Sequence, residues 1–248
     1  MTHKDKKAIV TGAAQGIGLG IAARLAKEGA CVAICDLNKE KAKQEADRLS
    51  GQGFNVIALQ ADISKLSDIK KMIEDSSNHF SGLDILINNA GILDSSSITD
   101  MKEETWDRVM AVNLKGTFFC CQAAIPFLKK SSAPRILNIS SVACRMGGYE
   151  ASLSYAASKG GVLSLTMGMA RQLAPFGITV NALCPGTIET EMIQQWTTEQ
   201  KFGLKQRVPL GRLGSIDDIA GAAAFLTGDD AAFITGLLLD VNGGMYMG

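Results

Sequence analysis

Tyr155 and Lys159 stand four residues apart in a segment of small and apolar residues that runs from Ser154 to Met167. On a helix this spacing places the phenol beside the ammonium. A free phenol has a pKa near 10, and lowering it by about three units for use as a base takes about 4 kcal/mol. A lysine cation about 4 Å away supplies a similar amount at an effective dielectric constant of about 20. The pair is a candidate for proton transfer, although this spacing also arises by chance on many helices.

The composition favours one domain with small-molecule partners. The chain has 248 residues, of which 46% are hydrophobic and 20% are charged, so it can bury a large core, and we expect one domain over residues 1–248. Lys plus Arg number 25, as do Asp plus Glu. This balance predicts no binding of nucleic acid or of an anionic membrane.

The first residues and the cysteines indicate the compartment. The start lacks the apolar core of a signal peptide, and no later apolar run reaches transmembrane length. Six cysteines occur with no C-x-x-C spacing, and only His3 and His79 are available as nitrogen ligands. We therefore expect a soluble, cytoplasmic protein with reduced thiols and no bound metal.

Strand-like and helical segments alternate along the chain. Short apolar runs predict seven strands, at Lys7–Thr11, Cys31–Cys35, Asn55–Ala61, Ile85–Ile87, Pro134–Ile139, Ile178–Leu183 and Leu237–Val241. Helices are predicted at Leu19–Glu28, from Asn38 to Leu49, from Ser64 to Phe80, over about Lys102–Lys130 as one helix or two, from the Tyr155 segment to about Leu173, and from Ser215 to Leu226. This order predicts an α/β fold, a Rossmann-like, doubly wound and mostly parallel sheet with helices on both faces.

Polar or turn residues end several of these strands, namely Asp36, Asp62, Asn89, Ser141 and Pro185. The carboxyl ends of parallel strands lie at one edge of the sheet, where ligands bind at the topological switch point. The convergence predicts one ligand site at this edge.

The glycines at positions 12, 16 and 18 follow the first strand and precede the first helix. In this place they let backbone N–H groups and the helix N-terminus approach a pyrophosphate, although a plain tight turn is the alternative. Asp36 can accept hydrogen bonds from the adenosine ribose and repel a 2′-phosphate, which favours NAD over NADP. The alternative role for Asp36 is a helix cap.

Five motifs in this order resemble those of the short-chain dehydrogenase/reductase family. They are Thr11-Gly-Ala-Ala-Gln-Gly-Ile-Gly18, Asn88-Asn-Ala-Gly91, Ser141, Tyr155-x-x-x-Lys159 and Pro185-Gly186, and the likeness extends from Lys7 to Gly244. The resemblance implies that Tyr155 is the general acid/base, that Lys159 lowers its pKa and holds the nicotinamide ribose, and that Ser141 orients the substrate oxygen. It also implies that Asn113 holds a water on a proton relay. The alternatives are a helix kink for Asn113 and a cap or turn for Ser141.

The resemblance also implies a set of cofactor contacts. Asp62 and Ile63 would contact the adenine, and Ile188 and Thr190 the nicotinamide carboxamide. The full predicted NAD-binding set is Gly12, Gln15, Gly16, Ile17, Gly18, Asp36, Asp62, Ile63, Asn89, Ala90, Gly91, Tyr155, Lys159, Pro185, Gly186, Ile188 and Thr190.

The substrate side has no diagnostic pattern. We expect a pocket from Asp94–Ser97, Val142–Leu153 and Ile188 to about Phe202, with a lid at about 188–210. Met146, Tyr149, Leu153, Met192 and Trp196 are candidates for an apolar lining, and Glu150 and Glu189 for hydroxyl binding or for plain solvation. Because NAD suits catabolic oxidation, we favour a secondary alcohol/ketone dehydrogenase acting on a small alcohol, diol or polyol.

Two other functions stay open. A 3-oxoacyl-[acyl-carrier-protein] reductase has a very similar motif layout, but such enzymes usually prefer NADPH and carry basic residues near positions 15 and 36, where this chain has Gln15 and Asp36. They also present a basic patch for the carrier protein; here Phe176 replaces one expected base, while Lys129 and Lys130 remain. A non-catalytic nucleotide-sensing protein is the alternative of another class. The family resemblance further implies a homotetramer.

Overall fold

The sheet is built from seven parallel strands. The computed structural model describes residues 2–148, 151–190 and 198–248. The strands are β1 Lys7–Thr11, β2 Cys31–Asp36, β3 Val56–Gln60, β4 Ile85–Asn88, β5 Arg135–Ile139, β6 Thr179–Pro185 and β7 Leu238–Val241. Each of the seven predicted strands is present, with its ends displaced by no more than two residues.

The strand order is β3-β2-β1-β4-β5-β6-β7. The chain winds outward from β1 to β3, returns to the other side of β1 at β4, and continues outward to β7. The switch point therefore lies between β1 and β4, and a crevice opens there beyond the carboxyl ends of the strands.

Nine α-helices connect or flank the strands within the described residues. They are α1 Gly16–Lys27, α2 Lys39–Ser50, α3 Leu66–Phe80, α4 Glu103–Met110, α5 Thr117–Leu128, α6 Ala143–Met146, α7 Leu153–Leu173, α8 Thr198–Gln206 and α9 Ile216–Thr227. The long predicted helical region is divided, because a π-helical segment at Ala111–Gly116 separates α4 from α5.

Alternate side chains of the strands enter two separate apolar cores. Val10 of β1 points into the core shared with α1, α2 and α9, whereas its neighbour Ile9 points into the core shared with α3, α5 and α7. Both faces of a doubly wound sheet are covered, so its strands are continuous apolar runs, as the sequence predicts. On the first face α1 and α9 pack closely, since a Cβ added at Gly20 would lie 1.9 Å from Ile216 Cγ2.

Several helix ends follow the predicted caps, and two helix starts differ. The side chain of Asn38 caps α2, and Ser215 forms a capping box with Asp218 at the start of α9. Helix α1 begins at Gly16, three residues before the predicted start, because the turn is shorter than the glycine pattern suggests. Ser64 does not open α3: its hydroxyl donates to Asp62, and the helix begins at Leu66.

Candidate active site

A cleft of about 540 Å³ lies at the carboxyl edge of the sheet, over the switch point. One end is lined by Asp36 and Asp62, and the other by Ser141, Tyr155 and Lys159. The other predicted residues on its walls are Gly12, Gln15, Gly16, Ile17, Ile63, Asn89, Ala90, Gly91, Pro185, Gly186 and Thr190. Its size and elongated lining suit a dinucleotide with a small substrate.

The turn after β1 is held against the turn after β4. Gly12 has a left-handed φ of 61°, and a Cβ there would lie 2.7 Å from Ala90 Cα. The Asn89 side chain donates to the carbonyls of Thr11 (3.0 Å) and Gly12 (2.9 Å). The Thr11 hydroxyl accepts from the backbone N–H groups of Asn89 and Ala90, at 3.1 Å each. These contacts hold the glycine turn in a shape that no larger residue at position 12 would permit.

The start of α1 faces the cleft and fits an anionic group. Gly16 has a φ of 57°, and the nearest atom to a Cβ there would be Thr190 Cγ2, 3.8 Å away, across the opening. The first helical N–H groups have no partner within a helix and carry a partial positive charge. The turn therefore fits a pyrophosphate, which is the group that the glycine pattern predicts.

Asp36 ends β2 and accepts two backbone hydrogen bonds. Its Oδ2 accepts from the N–H of Ala14 at 3.0 Å, and its Oδ1 accepts from the N–H of Asn38 at 2.9 Å. The carboxylate ties the glycine turn to the start of α2 and also lines the cleft. The capping role predicted for Asp36 is present only in part. Asp36 accepts from a backbone N–H at the start of α2, but the side chain that caps this helix is that of Asn38.

At the same end, Asp62 accepts from the N–H of Ser64 (3.0 Å) and from its hydroxyl (2.6 Å). These hydrogen bonds, the hydroxyl first, lower the pKa of Asp62 although burial opposes them. Its charged form is therefore favoured. The following residue, Ile63, is buried and lies against the π-helical segment, where a Cβ at Gly116 would come within 2.7 Å of the Ile63 carbonyl.

Tyr155 and Lys159 lie on α7, whose first turn is capped by Ser152. The Lys159 Nζ donates to the carbonyl of Ile139, the last residue of β5, at 2.8 Å, and lies 5.9 Å from the centre of the Tyr155 ring. The predicted helix and the proximity of the two side chains are both present.

The predicted lowering of the tyrosine pKa is not found in this structure. Burial raises the pKa of Tyr155, and the interaction with the Ser141 hydroxyl opposes this rise. Burial also lowers the pKa of Lys159 to about 8. The reason is that burial disfavours the charged form of each group.

Ser141 follows β5, and its hydroxyl accepts from the N–H of Ala143 at 3.1 Å while facing the cleft. Ser141 therefore makes the turn contact that was predicted as its alternative role, and it also lies where a substrate contact was predicted. The neighbouring Ser140 donates to the carbonyl of Lys159 at 2.9 Å, which joins the end of β5 to α7.

Asn113 is fully buried in the π-helical segment and does not line the cleft. Its Oδ1 accepts from the N–H of Ile92 at 2.8 Å, and its Nδ2 donates to the Ile92 carbonyl (3.0 Å) and to Ser158 Oγ (3.1 Å). The side chain thus joins the loop after β4 to α7. The irregular helix expected as the alternative reading is real, and π-helical turns are frequent at functional sites.

Two further predicted residues, Gly18 and Ile188, are absent from the cleft lining. Gly18 is buried beneath the turn, where a Cβ would lie 2.4 Å from Asn89 Nδ2, and Ile188 is 6% exposed in the apolar core. The cleft also contains residues that were not predicted, including Ser140, Leu93 and Arg108. Leu93 was detectable because it follows the Asn-Ala-Gly motif after β4, whereas no local pattern points to Arg108.

The substrate end of the cleft is described in part. Met146 and Leu153 flank this region and are 38% and 48% exposed, and Glu189 is also exposed. Tyr149, Glu150, Met192 and Trp196, which were predicted to belong to the pocket, lie outside the described residues. Of the predicted lid at 188–210, Ile188 pairs with Gly214 and residues 198–206 form α8. Its movement stays a prediction.

Residues 2–148, 151–190 and 198–248 contain no group of three or more His, Cys, Asp or Glu side chains placed to hold a metal ion. In the same ranges no helix is both long and apolar enough to cross a bilayer. All six cysteines are free.

Comparison with known proteins identifies the family. A family model described as enoyl-(acyl carrier protein) reductase matches residues 12–246. The chain belongs to the short-chain dehydrogenase/reductase family. Among curated members, it is 42% identical to the 3-oxoacyl-[acyl-carrier-protein] reductase FabG of Staphylococcus aureus, over 98% of each chain. It is 40% identical to the Vibrio cholerae protein of the same name over the full length of both.

Solved structures of short-chain dehydrogenase/reductase proteins share the fold. The crystal structure of gox2181 superposes with a TM-score of 0.94 at 30% identity, covering 98% of this chain and 96% of that one. A dehydrogenase/reductase from Sinorhizobium meliloti 1021 gives a TM-score of 0.93 at 35% identity with the same coverage. The protein is therefore an oxidoreductase that uses a nicotinamide cofactor and acts on a CH-OH group or a ketone.

Proposed function

We propose that this protein reduces the 3-oxo group of an acyl thioester to a secondary alcohol. One observation carries this proposal. The chain is about 40% identical, over almost the whole length of both chains, to 3-oxoacyl-[acyl-carrier-protein] reductases from two organisms. It reverses the preference of the sequence analysis, which favoured a small alcohol, diol or polyol and kept this reductase as the alternative.

A protonated Tyr155 is compatible with the reduction of a ketone. Because burial raises the pKa of the phenol, Tyr155 carries its proton at neutral pH. A protonated phenol is a general acid, which a ketone needs as its carbonyl carbon accepts a hydride. A nicotinamide held in the cleft would supply that hydride.

In this proposal Ser141, Lys159 and Asn113 position the substrate, the cofactor and the acid. The Ser141 hydroxyl donates a hydrogen bond to the substrate oxygen, beside Tyr155. Lys159 binds the nicotinamide ribose, and Asn113 joins the loop after β4 to α7 so that the acid keeps its place. The Lys159 pKa of about 8 leaves this side chain mostly charged at neutral pH.

We infer that NAD(H) is the preferred cofactor. The glycine turn would hold the pyrophosphate, and Asp36 would accept hydrogen bonds from the adenosine ribose. Gln15, Ile17, Asp62, Ile63 and Asn89 to Gly91 would line the adenosine half, while Pro185, Gly186 and Thr190 would surround the nicotinamide half. An acidic side chain at the ribose disfavours a 2′-phosphate because like charges repel.

A matrix of substrates and cofactors tests the function. Acetoacetyl-CoA, a 3-oxoacyl-carrier protein, crotonyl-CoA and a panel of small secondary alcohols, diols and polyols are each assayed with NAD(H) and NADP(H). We expect the highest kcat/KM for a 3-oxoacyl thioester with NADH. Turnover of crotonyl-CoA alone, or a higher kcat/KM for a polyol than for either 3-oxoacyl thioester, contradicts the proposal.

The small alcohol or polyol dehydrogenase remains a second candidate because of one surface contact. The Lys129 ammonium lies 3.5 Å from the centre of the Phe176 ring, so the cation that was expected to bind a carrier protein is engaged with an aromatic ring. A protein that acts on free small substrates has no need of that patch. The same matrix separates the two, since only this candidate gives rapid turnover of a free diol or polyol.

A non-catalytic nucleotide-sensing role predicts cofactor binding without turnover in any arm of the matrix. The homotetramer and the cytoplasmic location that follow from the family resemblance stay predictions. Exposed apolar side chains on α4, α5 and α7, namely Trp106, Phe118 and Met167, are compatible with such an assembly.

A further inference from the structure

Cys184 lies near the end of β6 with its side chain directed toward α7. Its predecessor Leu183 is the register partner of Ile139, and both of these side chains enter the core shared with α1, α2 and α9. Successive side chains of a strand point to opposite faces of the sheet, so Cys184 points away from that core. It packs instead in a small cluster with Leu163 of α7.

Cys144 of α6 packs against the same small cluster, and its thiol shares a hydrogen bond with the thiol of Cys184. Backbone hydrogen bonds hold the two segments together. The N–H groups of Ser140 and Val142 donate to the carbonyls of the residues on either side of Cys184, at 2.8 Å each. The two thiols are therefore in contact directly behind Ser141.

The two thiols differ in access and in acidity. Cys184 is fully buried, whereas Cys144 is partly exposed. The hydrogen bond from Cys184 lowers the pKa of Cys144, although burial opposes this change. The same hydrogen bond raises the pKa of Cys184, and burial adds to the rise. Since the thiolate is the reactive form of cysteine, Cys144 is the thiol that reacts first with an oxidant from solution.

Cys144 is also joined to the turn that carries Ser141, because its Sγ donates to the Ser141 carbonyl at 2.8 Å. On the other side, Cys184 precedes Pro185 and Gly186, which line the cleft. A bond between two sulfurs is about 2.0 Å long, shorter than a contact between two thiols. Its formation would draw α6 toward β6 and remove the hydrogen bond between Cys144 and Ser141.

We propose that Cys144 and Cys184 form a reversible disulfide, with a hydroperoxide as the oxidant, and that this modification lowers activity by displacing Ser141. The Cys144 thiolate attacks a peroxide oxygen and breaks the O–O bond. This step leaves a sulfenic acid, and the departing oxygen takes up the thiol proton as water or an alcohol. The Cys184 thiol then attacks the sulfenic sulfur, so that the S–S bond forms, the S–O bond breaks and water leaves. The two thiols are oxidised by two electrons and the peroxide is reduced by two.

The test is thiol counting and peptide mapping of the full chain, before and after treatment with hydrogen peroxide. The untreated wild type should have six free thiols. After oxidation we expect two fewer, and digestion should give one linked pair of peptides that contains Cys144 and Cys184. Dithiothreitol should restore the original count. The count needs no substrate, so its outcome is independent of the substrate matrix.

Three variants separate the roles of the two thiols. In Cys184→Ala the oxidation should stop at a sulfenic acid on Cys144, which dimedone traps, and Cys144→Ala should keep all its remaining thiols. Cys31→Ala is the matched control, because Cys31 is also partly exposed but lies on β2. It should form the disulfide as the wild type does. An unchanged thiol count in the oxidised wild type, or a linked peptide that contains any other cysteine, overturns the proposal.

Activity gives the second readout. With the substrate that has the highest kcat/KM in the matrix, kcat of the oxidised wild type should fall by at least about tenfold, because small displacements of a substrate-orienting group are costly. Dithiothreitol should restore it, and Cys144→Ala should keep its own kcat in peroxide. An unchanged kcat in the disulfide form contradicts the link to Ser141. A loss of kcat that dithiothreitol does not reverse also overturns the proposal, because it indicates oxidation beyond the disulfide.

Discussion

Lys159 occupies a buried position in which its main contact is a backbone carbonyl. The ammonium donates to Ile139 at the end of β5, and burial lowers its pKa to about 8. A Cβ at Gly91 would lie 3.2 Å from this Nζ, so the loop after β4 passes directly over it. Lys159 thus holds β5, α7 and the loop after β4 together. This structural role is additional to the role of its charge.

Replacement of Tyr155 by Phe tests its role as the acid. Because Phe keeps the ring and loses the proton, we expect kcat for ketone reduction to fall by about 10²- to 10⁴-fold, the usual contribution of general acid catalysis. NADH affinity, measured by fluorescence titration, should stay within about twofold.

The matched control is Tyr246→Phe, since Tyr246 lies outside the cleft. That variant should keep the wild-type kcat. If Tyr155→Phe retains more than about a tenth of the wild-type kcat, another group supplies the proton and the assignment fails.

Most residues of the site could be predicted from the sequence, because they belong to short motifs that lie at the ends of strands. The hydroxyl of Thr11 was quoted in a motif without a role, and the structure gives it two N–H donors across the switch point. Arg108 could not be found, since its place on the cleft wall depends on how α4 packs and not on any local pattern.

The glycine turn and the loop after β4 act as one element. Asn89 donates to two carbonyls of the turn, and Gly12 allows the contact because it has no Cβ. The adenosine end of the cleft therefore depends on a backbone contact between β1 and β4, on either side of the switch point.

Gly12→Ala tests this contact. The added Cβ meets Ala90 Cα at 2.7 Å in a left-handed conformation, so we expect the turn to move and NADH affinity to fall by at least about tenfold. Gly53→Ala is the control, because Gly53 also has a positive φ of 90° but has no atom within 4 Å. Both variants place a Cβ on a residue with a positive φ, so an equal loss of NADH binding would contradict a specific role for the contact with Ala90.

Strands and caps could be read from the sequence because they follow from local patterns of apolar, capping and turn residues. The π-helical segment at Ala111–Gly116 could not, because it depends on which carbonyl each N–H selects. Asn113 is an example. Its residue type predicts a kink, and the family resemblance implies a catalytic role. Its contacts with Ile92 and Ser158 are seen only in the folded structure.

At the scale of the whole molecule, a polar network near the N-terminus joins distant parts of the chain. His3 is fully buried; its Nδ1 lies 2.8 Å from Glu28 Oε2, and its Nε2 lies 3.0 Å from the hydroxyl of Thr227. Glu28 directly follows α1, and Thr227 is the last residue of α9. No local pattern predicts this network, because 224 positions separate His3 from Thr227.

Glu28 makes the network sensitive to acid. Burial acts to raise its pKa, but hydrogen bonds from Thr2, Arg24 and His3 outweigh burial and lower the pKa from 4.5 to about 2. A carboxylate whose pKa is lowered by folding stabilises the folded state above its unfolded pKa, and this contribution is lost as pH falls through the folded value. The relevant window is therefore about pH 4.5 to pH 2.

Glu28→Gln tests the linkage by thermal unfolding at a fixed protein concentration. We expect the variant to have a lower midpoint than the wild type at pH 7, and this difference to shrink between about pH 4.5 and pH 2, because the wild-type carboxylate becomes protonated there. Glu45→Gln is the control: Glu45 pairs with Arg48 within one turn of α2, and such local pairs contribute little. Its difference from the wild type should be small at every pH. A Glu28→Gln difference that stays constant down to pH 2 would mean that the carboxylate acts through packing, and not through the charge that His3, Arg24 and Thr2 stabilise.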